Sequence, residues 1–188
     1  MNLARLPLVV LLLPLAVLAV ERPVKIDHGR SYVEVDVKTT LKNFTAHLDA
    51  YDVHLNVDET GKIKNCILEF KFADLRTGDD ERNAAMLKWL GGADATGKFE
   101  LGILALAPDG QGQVTGKLSF HNASKLIEFP INITRADAEY TIVGDPTIDY
   151  RDWDLKVFKR DLMLKVGPEL KVRFKLVGAP VEPAPARN

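Results

Sequence analysis

Cysteine is almost missing from this 188-residue chain, where Cys66 stands alone. A single thiol closes no intrachain disulfide and builds no cysteine-based zinc cluster. An excess of charge of either sign is missing too: 25 Lys+Arg face 26 Asp+Glu, with no basic block. Binding nucleic acid by neutralising phosphates is therefore not expected. There is no Gly-x-Ser-x-Gly elbow and no Gly-rich phosphate loop. The four histidines, His28, His47, His54 and His121, have no close-set metal spacing. Ser119 and His121 lie two apart with no third orienting group, so no catalytic residue and no metal are assigned and the chain is not read as an enzyme. Its length suits one domain with a core that needs no staples.

Outside the first twenty residues no long apolar run occurs. Within them, residues 1–5 carry Arg5, and 6–20 form fifteen apolar positions interrupted by Pro7 and Pro14. Fifteen falls short of the ~20 residues that cross a bilayer as a helix. Val17-Leu18-Ala19 offers side chains that a signal peptidase accepts, so residues 1–19 read as a secretory signal cut after Ala19. No cysteine stands at the cleavage region, the only one being Cys66, which excludes a lipoprotein anchor. Removing Arg5 leaves 24 bases against 26 acids, a net charge of −2 on a soluble, exported chain.

From Val24 onward the dominant period is two. Val33, Val35 and Val37 alternate with acids and a lysine, and Phe44, Ala46 and Leu48 with polar residues. The same holds for Val53, Leu55 and Val57, for Val114, Gly116, Leu118 and Phe120, for Ile127, Phe129, Ile131 and Ile133, and for Leu170, Val172, Phe174 and Leu176. Such alternation marks antiparallel strands with one buried and one wet face. Outward positions such as Glu34, Asp36, Lys117, Lys171 and Arg173 are charged, which excludes an outer-membrane barrel. Turn signals fall at Asp58-Glu59-Thr60-Gly61, at Pro108-Asp109-Gly110-Gln111-Gly112, at Asn122-Ala123-Ser124-Lys125 and at Gly167-Pro168. About eight strands without interleaved helices predict a meander closing as a barrel or sandwich.

Residues 79–90 break the pattern. Met86 and Leu90 are four apart, as are Ala85 and Trp89, so one short amphipathic helix is expected there. Thr77 with Asp80 reads as a capping box, and Gly91-Gly92 as the stop. Residues 179–188 hold three prolines among small residues and are expected to be a disordered tail. Cys66 reads as a small buried apolar side chain.

Five pieces stand in a familiar order: Asn43-Phe44-Thr45-Ala46, the run Ala73-Asp74-Leu75-Arg76-Thr77-Gly78-Asp79-Asp80-Glu81-Arg82, then Val114 to His121, Ile127-Glu128-Phe129-Pro130-Ile131, and Asp149-Tyr150-Arg151-Asp152-Trp153. With these the chain resembles the YceI-like family of exported, lipocalin-like polyisoprenoid-binding proteins. It departs from that pattern at Asn43, Ala46, Asn83, Asn122, Trp153 and Asp154. The resemblance implies an all-β fold: an eight-stranded antiparallel lipocalin-like barrel over residues 20–178, with an elongated apolar cavity. It further implies a periplasmic protein that sequesters or carries a polyisoprenoid, quinone or fatty-acyl tail, with no other cofactor.

On that reading the ligand-binding wall comprises Phe44, Leu48, Phe70, Phe72, Phe99, Leu101, Leu118, Phe120, Phe129 and Ile131, with Met86, Trp89 and Leu90 as a lid. Arg76, Arg82, Lys88 and Arg151 are the headgroup candidates. The expected partner is a hydrophobic small molecule, with a homodimer left open. Wall and solid core share one apolar pattern, so a filled barrel that binds a protein partner is the alternative.

Overall fold

The computed structural model describes residues 21–159 and 164–181. The expected signal, 1–19, and residues 182–188 of the expected tail lie outside the described residues. The period-two runs form β1 (Arg22–Ile26), β2 (Tyr32–Thr39), β3 (Phe44–Leu48), β4 (Tyr51–Val57), β5 (Ile63–Lys71) and β6 (Leu75–Arg76). After the single helix α1 (Asp80–Leu90) come β7 (Thr96–Leu106), β8 (Gln111–Phe120), β9 (Ala123–Ala136), β10 (Glu139–Gly144), β11 (Thr147–Asp149) and β12 (Val166–Pro180).

These twelve segments make eight staves. β1 and β2 lie end to end along one side of β12, Val24 opposite Pro180 and Val33 opposite Phe174. β10 and β11 do the same along its other side. β3 with β4 and β5 with β6 are likewise single staves, the latter interrupted by a 3-10 turn at Phe72–Asp74. Every neighbouring pair is antiparallel and follows chain order, and the first stave closes on the last. The fold is thus an eight-stranded antiparallel barrel with one helix. Closure leaves no unpaired edge to template aggregation.

Several local expectations are corrected. The turn between β8 and β9 is His121-Asn122, both at positive φ (48° and 61°), and residues from Ala123 on already belong to β9. A two-residue hairpin needs left-handed backbone at both positions, which asparagine tolerates better than most side chains. Gly167-Pro168 is no turn; it lies inside β12, where the register with β2 shifts between Val166 and Leu170. Glycine and proline in a strand commonly mark such a bulge. The tail starts later than expected, because Ala179 and Pro180 pair with β1 to close the barrel. The helix is capped by Asp79, whose side chain accepts from the Arg82 amide, and not by a Thr77–Asp80 box. Asp79 is the residue just before the first helical one, so its carboxylate reaches the third helical N–H.

The two ends of the barrel differ. At the end remote from α1, the β4–β5 turn folds across to the opposite wall. There Tyr140 Oη donates to the Gly61 carbonyl at 2.7 Å and Arg135 Nη1 to the Thr60 carbonyl at 3.2 Å. Gly61 has a φ of +83°, which other residues adopt only with strain, and a Cβ there would push the Arg135 guanidinium and the Tyr140 hydroxyl off their bonds to the turn. The β7–β8 turn tucks in likewise, the Ile133 N–H donating to the Gly110 carbonyl at 2.8 Å.

Candidate functional site

The inward residues of the staves meet around a space, not a solid centre. A cavity of about 280 Å³ runs from Trp89, Leu90 and Phe158 at the helix end to Ile63, Leu104 and Ile133 near the stoppered end. Apolar cavities of ~150 Å³ already stay dry and accept a benzene-sized guest.

Glycines help keep the bore open. Phe70 faces Gly97 across β5 and β7, and a Cβ on that glycine would sit 2.2 Å from the ring. A Cβ on Gly116 would meet the Phe99 ring at the same distance. Each ring therefore lies flat over a missing side chain instead of projecting into the lumen. The aromatic wall continues through Phe99, Phe129 and Phe174, whose centroids are 5.8 and 6.1 Å apart in sequence.

All thirteen apolar positions singled out from the sequence border the cavity: Phe44, Leu48, Phe70, Phe72, Met86, Trp89, Leu90, Phe99, Leu101, Leu118, Phe120, Phe129 and Ile131. The four basic candidates divide. Arg82 borders the cavity, its guanidinium 4.0 Å from the Phe44 ring centroid and donating to the Thr77 carbonyl at 3.0 Å. Its side chain is 35% exposed, so it joins lumen to solvent. Arg76, Lys88 and Arg151 do not border it. Arg76 is outward, 3.6 Å from Asp49, and Lys88 is exposed in the last helical turn. Arg151 is turned back on Asp149, two residues before it, whose pKa its hydrogen bonds lower. The cluster of cations expected at the mouth is therefore not assembled.

Other polar atoms of the wall are satisfied within the protein. Thr77 Oγ1 donates to Asn83 Oδ1 at 2.8 Å, Tyr150 Oη to the Val166 carbonyl at 3.2 Å, and Trp89 Nε1 to the Lys156 carbonyl at 2.9 Å. What faces the space is hydrocarbon. Cys66 borders it as well, and burial pushes its thiol up to about 11, so it stays protonated and behaves as a small apolar group.

The helix end is a second packed layer. Trp153, 1% exposed, stacks on Phe120 at 4.6 Å and donates from Nε1 to the Leu118 carbonyl at 3.0 Å. The His121 Nδ1–H donates to the Trp153 carbonyl at 3.0 Å, which assigns that histidine to holding the 3-10 turn Tyr150–Trp153. Trp89 meets Tyr150 edge to face at 4.9 Å, which ties α1 to the same layer. Sequence reasoning missed Tyr150, Leu155 and Phe158 as part of this wall. Their segment lacks the strand period, and only Asp149-Tyr150-Arg151-Asp152-Trp153 marked it. Gly97 was missed as well; a glycine inside an alternating strand is a usable sign of close approach.

The family model of the YceI-like domain matches residues 24–178. No curated protein matches the chain. Among solved structures, BcnA of Burkholderia cenocepacia is similar at 18% identity, with a TM-score of 0.67 over 81% of this chain and 99% of that one. A polyisoprenoid binding domain from Saccharophagus degradans, implicated in plant cell wall breakdown, is similar at 16% identity, with a TM-score of 0.65 over 87% and 99%. The YceI protein of Campylobacter jejuni is similar at 14% identity, with a TM-score of 0.62 over 76% and 88%.

Proposed function

The chain belongs to the YceI-like family, and on that premise we infer that it is an exported binding protein for a long apolar tail. Polyisoprenoid, quinone-type and fatty-acyl chains share the required chemistry. The observation that carries this reading is the hydrocarbon-lined bore of about 280 Å³. Its action is sequestration: the wall replaces water around the tail, and each buried methylene contributes about 0.8 kcal/mol without polar recognition. Arg82 stands at the lip to meet the polar head, and α1 borders the opening. The apolar run of residues 6–20 supports export to the periplasm. No covalent step belongs to this reading.

The test is organic extraction of the purified protein with mass spectrometry of the extract, followed by uptake of a prenyl alcohol by the stripped protein. Co-purified lipid and saturable uptake are expected. Gly116→Val, which drives the Phe99 ring into the lumen, and Cys66→Phe, which fills it directly, should each lower uptake while circular dichroism still reports a barrel. An empty extract together with no uptake by the folded wild type overturns the reading.

A further inference from the structure

We propose that the cargo ends in a single carboxylate, as a long-chain fatty acid does, and that Thr77 and Asn83 aim Arg82 at that head. The step rests on the apolar-cargo reading and narrows it to one class. Arg82 is the one charged side chain among the described residues that border the bore. Holding a guanidinium against hydrocarbon costs solvation unless the guest brings an acceptor. One face lies on the Phe44 ring, 4.0 Å from its centroid, and Nη1 donates to the Thr77 carbonyl, a neutral acceptor, at 3.0 Å. The Asp79 carboxylate stands 3.8 Å from Nη2, beyond hydrogen-bond reach, and its Oδ1 is committed to the Arg82 N–H as the helix cap. Both side chains are partly in solvent, which weakens that pair. Among the described residues no other acceptor takes a guanidinium N–H of Arg82. The N–H groups left over form a planar fork that a carboxylate can accept two at a time.

Charge sets the class. One guanidinium on the wall matches one negative charge. A diphosphate brings more, and it would do so beside Asp79 and Asp80, both exposed at the start of α1. A hydroxyl head would accept one hydrogen bond and leave the cation uncompensated. The aim of Arg82 is set from behind. Thr77, 7% exposed, donates from its N–H and its Oγ1 to Asn83 Oδ1 at 3.0 and 2.8 Å. Those two bonds fix the residue whose carbonyl holds Nη1. They are needed there, because Gly78 follows at a φ of 76° with open space around it. Asn83 is thus a positioning residue. Its amide oxygen accepts both bonds without a charge, whereas an aspartate would accept them and set a carboxylate next to the place of the head.

The experiment is titration calorimetry of the purified, lipid-stripped protein with palmitic acid, hexadecanol and hexadecyl diphosphate at mildly alkaline pH, three heads on one chain length. Palmitate should bind at least about ten-fold more tightly than hexadecanol, the worth of a hydrogen bond to a charged group, and more tightly than the diphosphate. Arg82→Gln should bring palmitate and hexadecanol close to parity, and Arg82→Lys should restore part of the preference. Asn83→Asp should lower the preference several-fold while circular dichroism still reports a barrel. Lys64→Gln, an exposed position on β5 that does not border the bore, should keep it. Parity in the wild type, tighter binding of the diphosphate, or an undiminished preference in Arg82→Gln overturns the proposal. An undiminished preference in Asn83→Asp overturns the positioning role. Equal uptake of all three guests sinks the carboxylate head alone and leaves the apolar-cargo reading standing, whereas uptake of none by the folded protein sinks both.

Discussion

Trp153 illustrates how one side chain fixes a layer: its ring stacks on Phe120 while its indole N–H reaches the Leu118 carbonyl. Replacing it with phenylalanine keeps the stacking and removes the donor. Net loss of a buried hydrogen bond costs about 1 kcal/mol, and the smaller ring adds to that. Trp153→Phe should therefore lower Tm by several degrees in a calorimetric scan. On the outer wall, Arg173 clasps Asp36 through Nε and Nη2 at 2.7 and 2.9 Å, and the Thr45 hydroxyl donates to the same carboxylate at 2.7 Å. Arg173 first, and Thr45 second, hold the Asp36 carboxyl down to about 2 from its ordinary 3.8. A lowered carboxylate pKa means that the folded state binds the proton more weakly than the unfolded chain. The stabilisation is therefore whole above about 3.8 and drains away as pH falls toward 2. Acid denaturation of Asp36→Asn should be flatter than that of wild type across this window; identical slopes would show the clasp to be energetically silent.

At the scale of elements, parity decides more than propensity. In β7 the register with β8 steps from Leu101 opposite Gly116 to Ile103 opposite Thr115, so Gly102 is an extra residue. That bulge reverses the alternation: Leu104 borders the bore and Ile103 is 65% exposed. Ile103→Thr should change the unfolding free energy by no more than about 0.5 kcal/mol, and Leu104→Ala should cost about 2 kcal/mol, both from urea titration. The opposite order would mean that the bulge is misplaced. The inward face of the regular staves was legible because period two assigns every side chain to a face once one is known, as in Ile127, Phe129, Ile131 and Ile133. Bulges were not legible, since an inserted residue leaves no compositional mark beyond a glycine. Nor was the arrangement of the basic residues. Arg82 turns to the lumen because Asp79 caps the helix three residues earlier and Phe44 offers it a ring, while Arg151 is captured by its near neighbour Asp149. Those outcomes depend on local loop geometry, not on periodicity.

For the whole molecule, the run of alternating segments indicated a meander that left barrel and sandwich open, and the family resemblance selected the closed barrel that the structure has. Whether its centre was open could not be read. That depends on ring diameter against side-chain volume, and on glycines such as Gly97 and Gly116 that let aromatic rings lie flat. The differing ends carry the last consequence. Gly61, Arg135 and Tyr140 tie the β4–β5 turn across the bottom, so on the cargo reading a guest enters and leaves at the helix end. A blind bore acts as a gauge. Each isoprene added to a guest should raise Tm until the tube is full, and from then on additional units should dangle in water and add nothing. Thermal melts with a ladder of prenyl alcohols would show a rise and then a plateau, and the break point would measure the depth of the tube in carbon atoms.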